Sequence, residues 1–94
     1  MYYVKYKDQI IAQEEDVIED CGTKYFPLQA VDQTFLVESN FRSSCLFKNT
    51  ATYYHVKVGN DLFENAAWTY LDPDPEKKEI KGRIAFAEEL LDKQ

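Results

Sequence analysis

The stretch ATYYHVKVGN, Ala51 to Asn60, decides the fold class. Its first eight residues are rich in Tyr, Thr and Val, side chains that suit a pleated, half-buried surface. They also alternate. Tyr54, Val56 and Val58 fall on one face, and Tyr53, His55 and Lys57 on the other. The first set is expected in the core and the second on a more polar surface. Gly59-Asn60 is a two-residue turn signal, so Asp61 to Glu64 reads as the returning strand of a hairpin. Asn65 to Tyr70 continues extended, with Ala66, Trp68 and Tyr70 on one side. The two successive alanines leave space beside the Trp ring for something to approach closely.

Upstream of the hairpin the same period recurs. Tyr2, Val4 and Tyr6 alternate with Tyr3, Lys5 and Lys7, which suits a half-buried strand. Lys7-Asp8-Gln9 is a polar break, and Ile10-Ile11-Ala12 reads as a return strand. Glu14-Glu15-Asp16 is a short acidic loop, Val17-Ile18 a short strand, and Cys21 to Lys24 a turn. Pro27 restricts Phe26 to extended geometry. Phe35-Leu36-Val37 is a third apolar run, ending at Glu38. Downstream, Asp72-Pro73-Asp74-Pro75 is a stiff turn in which Asp74 caps a short helix with Pro75 at its first position, and Gly82 ends it. Arg83 to Phe86 then reads as a final strand. Ile80, Ile84, Ala87 and Leu91 fit one helix from Glu76 to Leu91 equally well, because Gly82 inside it costs only about 1 kcal/mol relative to Ala.

With 94 residues the chain is read as a single domain, residues 1–94, with one core. Its 45% hydrophobic and 30% charged content is that of a folded protein rather than a disordered one. A net charge of -6 argues against duplex nucleic acid as a partner, since its phosphates are repelled by most of this surface. No apolar run has the roughly 20 residues that a spanning helix needs, so no membrane partner is expected. The first residues show no signal-peptide pattern, which makes a cytoplasmic location the expectation and Cys21 and Cys45 reduced thiols. Oligomeric state is not legible.

One window breaks the acidic pattern. From Ser39 to Asn60 there is no Asp or Glu, while Arg42, Lys48 and Lys57 supply three positive charges; with -6 overall, the remainder carries -9. Clustered cations repel one another unless they face a negative partner or are spread over a surface. The same region and its sequel hold the one Trp, the one His and several Tyr residues. Arg42, Cys45, Lys48, Tyr53, Asn65, Trp68 and Tyr70 are therefore the candidate ligand-binding residues. The expected ligand is a small anion with a planar body, held by Trp68, Tyr53 and Tyr70 and met by Lys48 and Arg42. The competing reading pairs Lys48 and Arg42 with carboxylates of other strands.

Several runs carry a resemblance: Ser39-x-x-Arg42-Ser43-x-Cys45-x-Phe47-Lys48, then Ala51-x-Tyr53-Tyr54, then Asn65-Ala66-Ala67-Trp68-x-Tyr70. Tyr25-Phe26-Pro27 and Ile80-x-Gly82-x-Ile84-Ala85-Phe86 flank them. The chain resembles the family known as domain of unknown function 427, also labelled a nucleotidyltransferase-like domain. Leu46 and Asn49 stand where that family has Pro and Gly. The resemblance implies an all-β domain with at most one or two short helices. Its two antiparallel sheets would meet at an angle in a β-tent-like arrangement. It also favours a strand at Arg83 to Phe86.

The chemistry suggested by the family label finds little in the residues. Nucleotidyl transfer needs a phosphate-cradling backbone and carboxylates holding a divalent metal. Only Gly22, Gly59 and Gly82 are present, and the Asp72-x-Asp74 pair sits in a Pro-interleaved turn. Two Cys and one His do not fill a four-ligand zinc site without carboxylates, so no metal and no cofactor are expected. Cys45 beside Arg42 and Lys48 is a candidate nucleophile, or a small buried hydrophobe. His55 is expected to make a local hydrogen bond. Three readings stand: a binder of a small nucleotide- or phosphate-like anion, a small enzyme acting on such a ligand through Cys45, Lys48 or His55, and a protein-interaction module.

Overall fold

A computed structural model describes residues 1–46 and 48–93; Phe47, Gln94 and the side chains of Cys45 and Lys93 lie outside the description. The chain is all-β. Its strands are β1 (Tyr2–Tyr6), β2 (Gln9–Glu14), β3 (Ile18–Asp20), β4 (Thr23–Phe26), β5 (Leu36–Cys45), β6 (Asn49–Val58), β7 (Asp61–Thr69), β8 (Ile84–Phe86) and β9 (Leu91–Lys93). They form two antiparallel sheets, one of three strands in the order β2-β1-β9 and one of six in the order β3-β4-β8-β7-β6-β5. The turn from β1 to β2 places Lys7 and Asp8 at φ 49° and 65°, the doubly left-handed geometry that matches the twist of a tight hairpin.

Where the sequence allowed two readings of the tail, the structure holds no long helix. A 3-10 turn over Pro75–Ile80 begins at Asp74, whose carboxylate accepts from the Glu76 N–H, and β8 follows after Gly82 at φ 74°. Further 3-10 turns cover Leu28–Ala30, Gln33–Phe35 and Glu88–Leu90. Two elements exceed the sequence expectation. The apolar run that was to end at Glu38 continues as β5 to Cys45, and β9 pairs with β1 through Val4↔Leu91, Tyr3↔Asp92 and Tyr2↔Lys93. Among the described residues no helix is long and apolar enough to cross a membrane.

Alternation along the strands divides the apolar side chains between the two faces of the six-stranded sheet. Phe26, Val56, Ala67, Ile84 and Phe86 meet Val4, Ile11 and Ala12 of the three-stranded sheet in the main core. Their strand neighbours Tyr25 and Ala85 point the other way, joining Ala51, Tyr70 and Ile80 in a second cluster against which Ile18, Tyr53 and Trp68 pack. The Pro75–Ile80 turn covers part of this second face through Ile80, which is fully buried.

Candidate functional site

Lys48 follows β5 at the tip of the β5–β6 hairpin, and its side chain folds back over the second apolar cluster. It is 6% exposed, which is rare for lysine and requires a partner. Its ammonium donates to the Tyr25 hydroxyl at 3.0 Å and lies 3.2 Å from Asp20 Oδ2. It also sits 5.2 Å and 5.8 Å from the ring centres of Tyr25 and Tyr70, within cation–π range. Lys77, from the Pro75–Ile80 turn, donates to the other carboxylate oxygen of Asp20 at 2.9 Å. Burial disfavours the Lys48 charge, but the Tyr25 oxygen and the Asp20 carboxylate outweigh it and raise its pKa above the ordinary lysine value. Asp20 is held below the ordinary aspartate value, first by the Lys77 hydrogen bond against an opposing cost of burial, then by Lys48. A lysine locked in its charged form is no general base and no amine nucleophile at neutral pH.

Arg42 and Asn65 belong to a different construction. Three residues of β5, numbers 39–41, oppose Tyr53 alone, and three residues of β7, numbers 64–66, oppose His55 alone. Both neighbours of β6 therefore bulge at the same level. The bulges are tied together by the buried Ser39, whose hydroxyl donates to Asn65 Oδ1 and accepts from the Phe41 N–H at 3.0 Å. Asn65 sits at φ 53°, a conformation that Asn tolerates better than most residues, and its N–H donates to His55 Nδ1 at 3.0 Å. The imidazole proton is thereby assigned to Nε2. Arg42 donates to the carbonyls of Ser39 and Phe41 at 2.9 and 2.8 Å, closing the β5 bulge.

Between these two constructions runs an aromatic row. Phe41 meets Tyr53 edge-on at 4.8 Å, and Tyr53 leans on Trp68 at 5.8 Å. The Tyr53 hydroxyl is 3.1 Å from Ser43 Oγ. The bulge at Asn65 also shifts the alternation of β7. Ala66 and Ala67 are both buried in the main core rather than standing clear beside Trp68, whose open side is elsewhere.

That open side is a slot of about 280 Å³. The β4–β8 pairing stops at Tyr25↔Ala85, so the chain on either side of it separates. Gly22, Thr23 and Lys24 form one flank, Phe86, Glu88 and Leu91 the other, and Trp68 closes one wall. A second hollow of about 380 Å³ shares Lys24, Glu88 and Leu91 with it and extends to Tyr2 and Asp92 on the three-stranded sheet. The two make one trough across the end of both sheets. Neither Lys48 nor Arg42 lines it.

The sequence profile of a family described as a domain of unknown function (DUF427) matches residues 3–94. This chain belongs to the DUF427 family. A search among curated proteins gave no match.

In this DUF427 domain six of the seven expected residues fall into three groups. Lys48 and Tyr70 lie together on Asp20 and Tyr25, Arg42 and Asn65 are joined through Ser39, and Tyr53 braces Trp68 at the slot. The side chain of Cys45 lies outside the described residues. Lys24, Glu88 and Leu91 were not expected at a site. The turn expected over Cys21 to Lys24 ends earlier, and Thr23 and Lys24 already belong to β4, which is what brings Lys24 to the slot.

Proposed function

We propose that this DUF427 domain is a small-molecule binding module whose ligand enters the Trp68 slot. One observation carries the reading: the single Trp of the chain walls a cavity of about 280 Å³ where the six-stranded sheet splits between β4 and β8. A concave site with an aromatic wall and a few polar groups is the usual form of a ligand pocket. Trp68 and Leu91 supply apolar contact, while Lys24 and Glu88 supply the polar ends. The anion subsite expected at Arg42 and Lys48 gains no support from the geometry, because Arg42 is engaged by its own backbone and Lys48 by Asp20.

The test uses Trp68 as its own reporter. A thermal-shift screen of nucleotides, phosphorylated metabolites, dicarboxylates and small amines is run in parallel with Trp68 fluorescence. A ligand of the slot raises the melting temperature and changes the emission together, with a stabilisation of about 2.7 kcal/mol at a hundredfold excess over Kd. A ligand that stabilises the fold while leaving Trp68 emission untouched in both wild type and Lys24→Met places the site elsewhere and overturns the proposal.

A further inference from the structure

We infer that the trough selects a protonated amine carried on a flat or apolar body, rather than an anion. The inference rests on the reading of the trough as the ligand site and concerns which ligands it takes. Aromatic rings border both hollows: Trp68 in the slot and Tyr2 in the adjoining one. Aromatic faces carry negative potential and attract ammonium groups. The protein already uses this property in the trough, since the Lys24 ammonium lies 5.8 Å over the Tyr2 ring.

Charge balance points the same way. Lys24 is matched by Glu19 at 3.6 Å, and Asp92 by Lys5 at 3.4 Å. Glu88 borders both hollows and, among the described residues, makes no ion pair. Among the described residues the trough therefore carries one surplus carboxylate, in a chain of net charge -6. An anion entering here meets that surplus, whereas an ammonium group satisfies it while its apolar body covers Trp68. The basic window from Ser39 to Asn60 does not alter this balance, because its residues do not line the trough.

Three probes with the same phenylethyl body and different head-group charge decide the matter: phenethylammonium, 2-phenylethanol and 3-phenylpropionate. Each is titrated into the full chain with Trp68 emission and melting temperature as readouts. Phenethylammonium is expected to bind about tenfold more tightly than the alcohol, the equivalent of one charge contact of about 1.4 kcal/mol, and the carboxylate most weakly. Glu88 is exposed, so Glu88→Gln retains the fold; it is expected to abolish the preference for the amine while leaving affinity for the alcohol unchanged. If the alcohol or the carboxylate moves Trp68 as strongly as the amine, the ligand class is wrong and the slot reading stands. If no probe affects Trp68 emission or melting temperature, both fail.

Discussion

Lys48 Nζ lies 3.2 Å from Asp20 Oδ2, and the two side chains are only 8% and 15% exposed. The pair joins the tip of the β5–β6 hairpin to the end of β3, at opposite ends of the six-stranded sheet order. Lys77 adds the Pro75–Ile80 turn to the same carboxylate. Three segments distant in sequence are thus pinned on one aspartate over the second apolar cluster.

Lys48→Ala is accordingly expected to destabilise the fold substantially. Breaking a buried pair typically costs 3–5 kcal/mol, and Lys77 remains to hold Asp20, so a loss of about 3 kcal/mol is expected in denaturant unfolding. Lys77→Ala should cost less, because its ammonium is better solvated. A Lys48→Ala loss below about 1 kcal/mol would show that the pair is not a staple.

Stability should also fall in acid through Asp20. Its folded pKa is depressed below the ordinary 3.8, so its contribution is complete above that unfolded value and is lost as pH drops through the folded one. Urea midpoints measured from neutral pH downward should decline in the wild type. Asp20→Asn should start lower and decline less, and two parallel curves would contradict the assignment.

At the paired bulges, Asn65 separates a backbone requirement from a side-chain one. Asn65→Ala loses both the Ser39 hydrogen bond and tolerance of φ 53°, together about 2 kcal/mol. Asn65→Gly loses the hydrogen bond alone, about 1 kcal/mol. The order of the two variants in chemical denaturation is the check; an Ala variant as stable as the Gly variant would remove the conformational argument.

Arg42 is expected to protect a sheet edge. β5 is the outermost strand of its sheet, with Phe41 48% and Val37 41% exposed. Bulges and charges on such strands hinder pairing with another chain. Arg42→Ala should change unfolding free energy by less than about 1 kcal/mol, since the side chain is exposed, yet increase self-association relative to wild type in sedimentation velocity. Unchanged sedimentation across concentrations would count against an edge-guarding role.

The β6–β7 hairpin was legible because its signals are local: alternation over Ala51 to Val58 and a Gly-Asn turn. His55 makes the local hydrogen bond expected of it. The Asp74-Pro75 start was legible for the same reason, whereas the strand after Gly82 was favoured over a helix only by the family resemblance. β5 beyond Glu38 was not, because Ser39 to Cys45 is polar and its alternation is interrupted by the bulge at residues 39–41. The bulge at Asn65 likewise misled the placing of Ala66. β9 is three residues long and finds its partner in the first strand, a pairing invisible to any window along the chain. The trough fails in the same way: Lys24, Trp68 and Glu88 converge only because β4 and β8 part company, and the charge run that drew attention to Lys48 is answered by Asp20, outside the run.

Because β1 lies between β2 and β9, the three-stranded sheet lacks one edge strand until Leu91–Lys93 are available. A chain emerging from the ribosome can form the β1–β2 and β6–β7 hairpins early, but Val4↔Leu91 must wait until β9 has cleared the exit tunnel. Leu91 also lines the trough, so the trough is completed at the same moment as the sheet. A translation product that stops short of Leu91 would therefore lack the trough together with the closing strand.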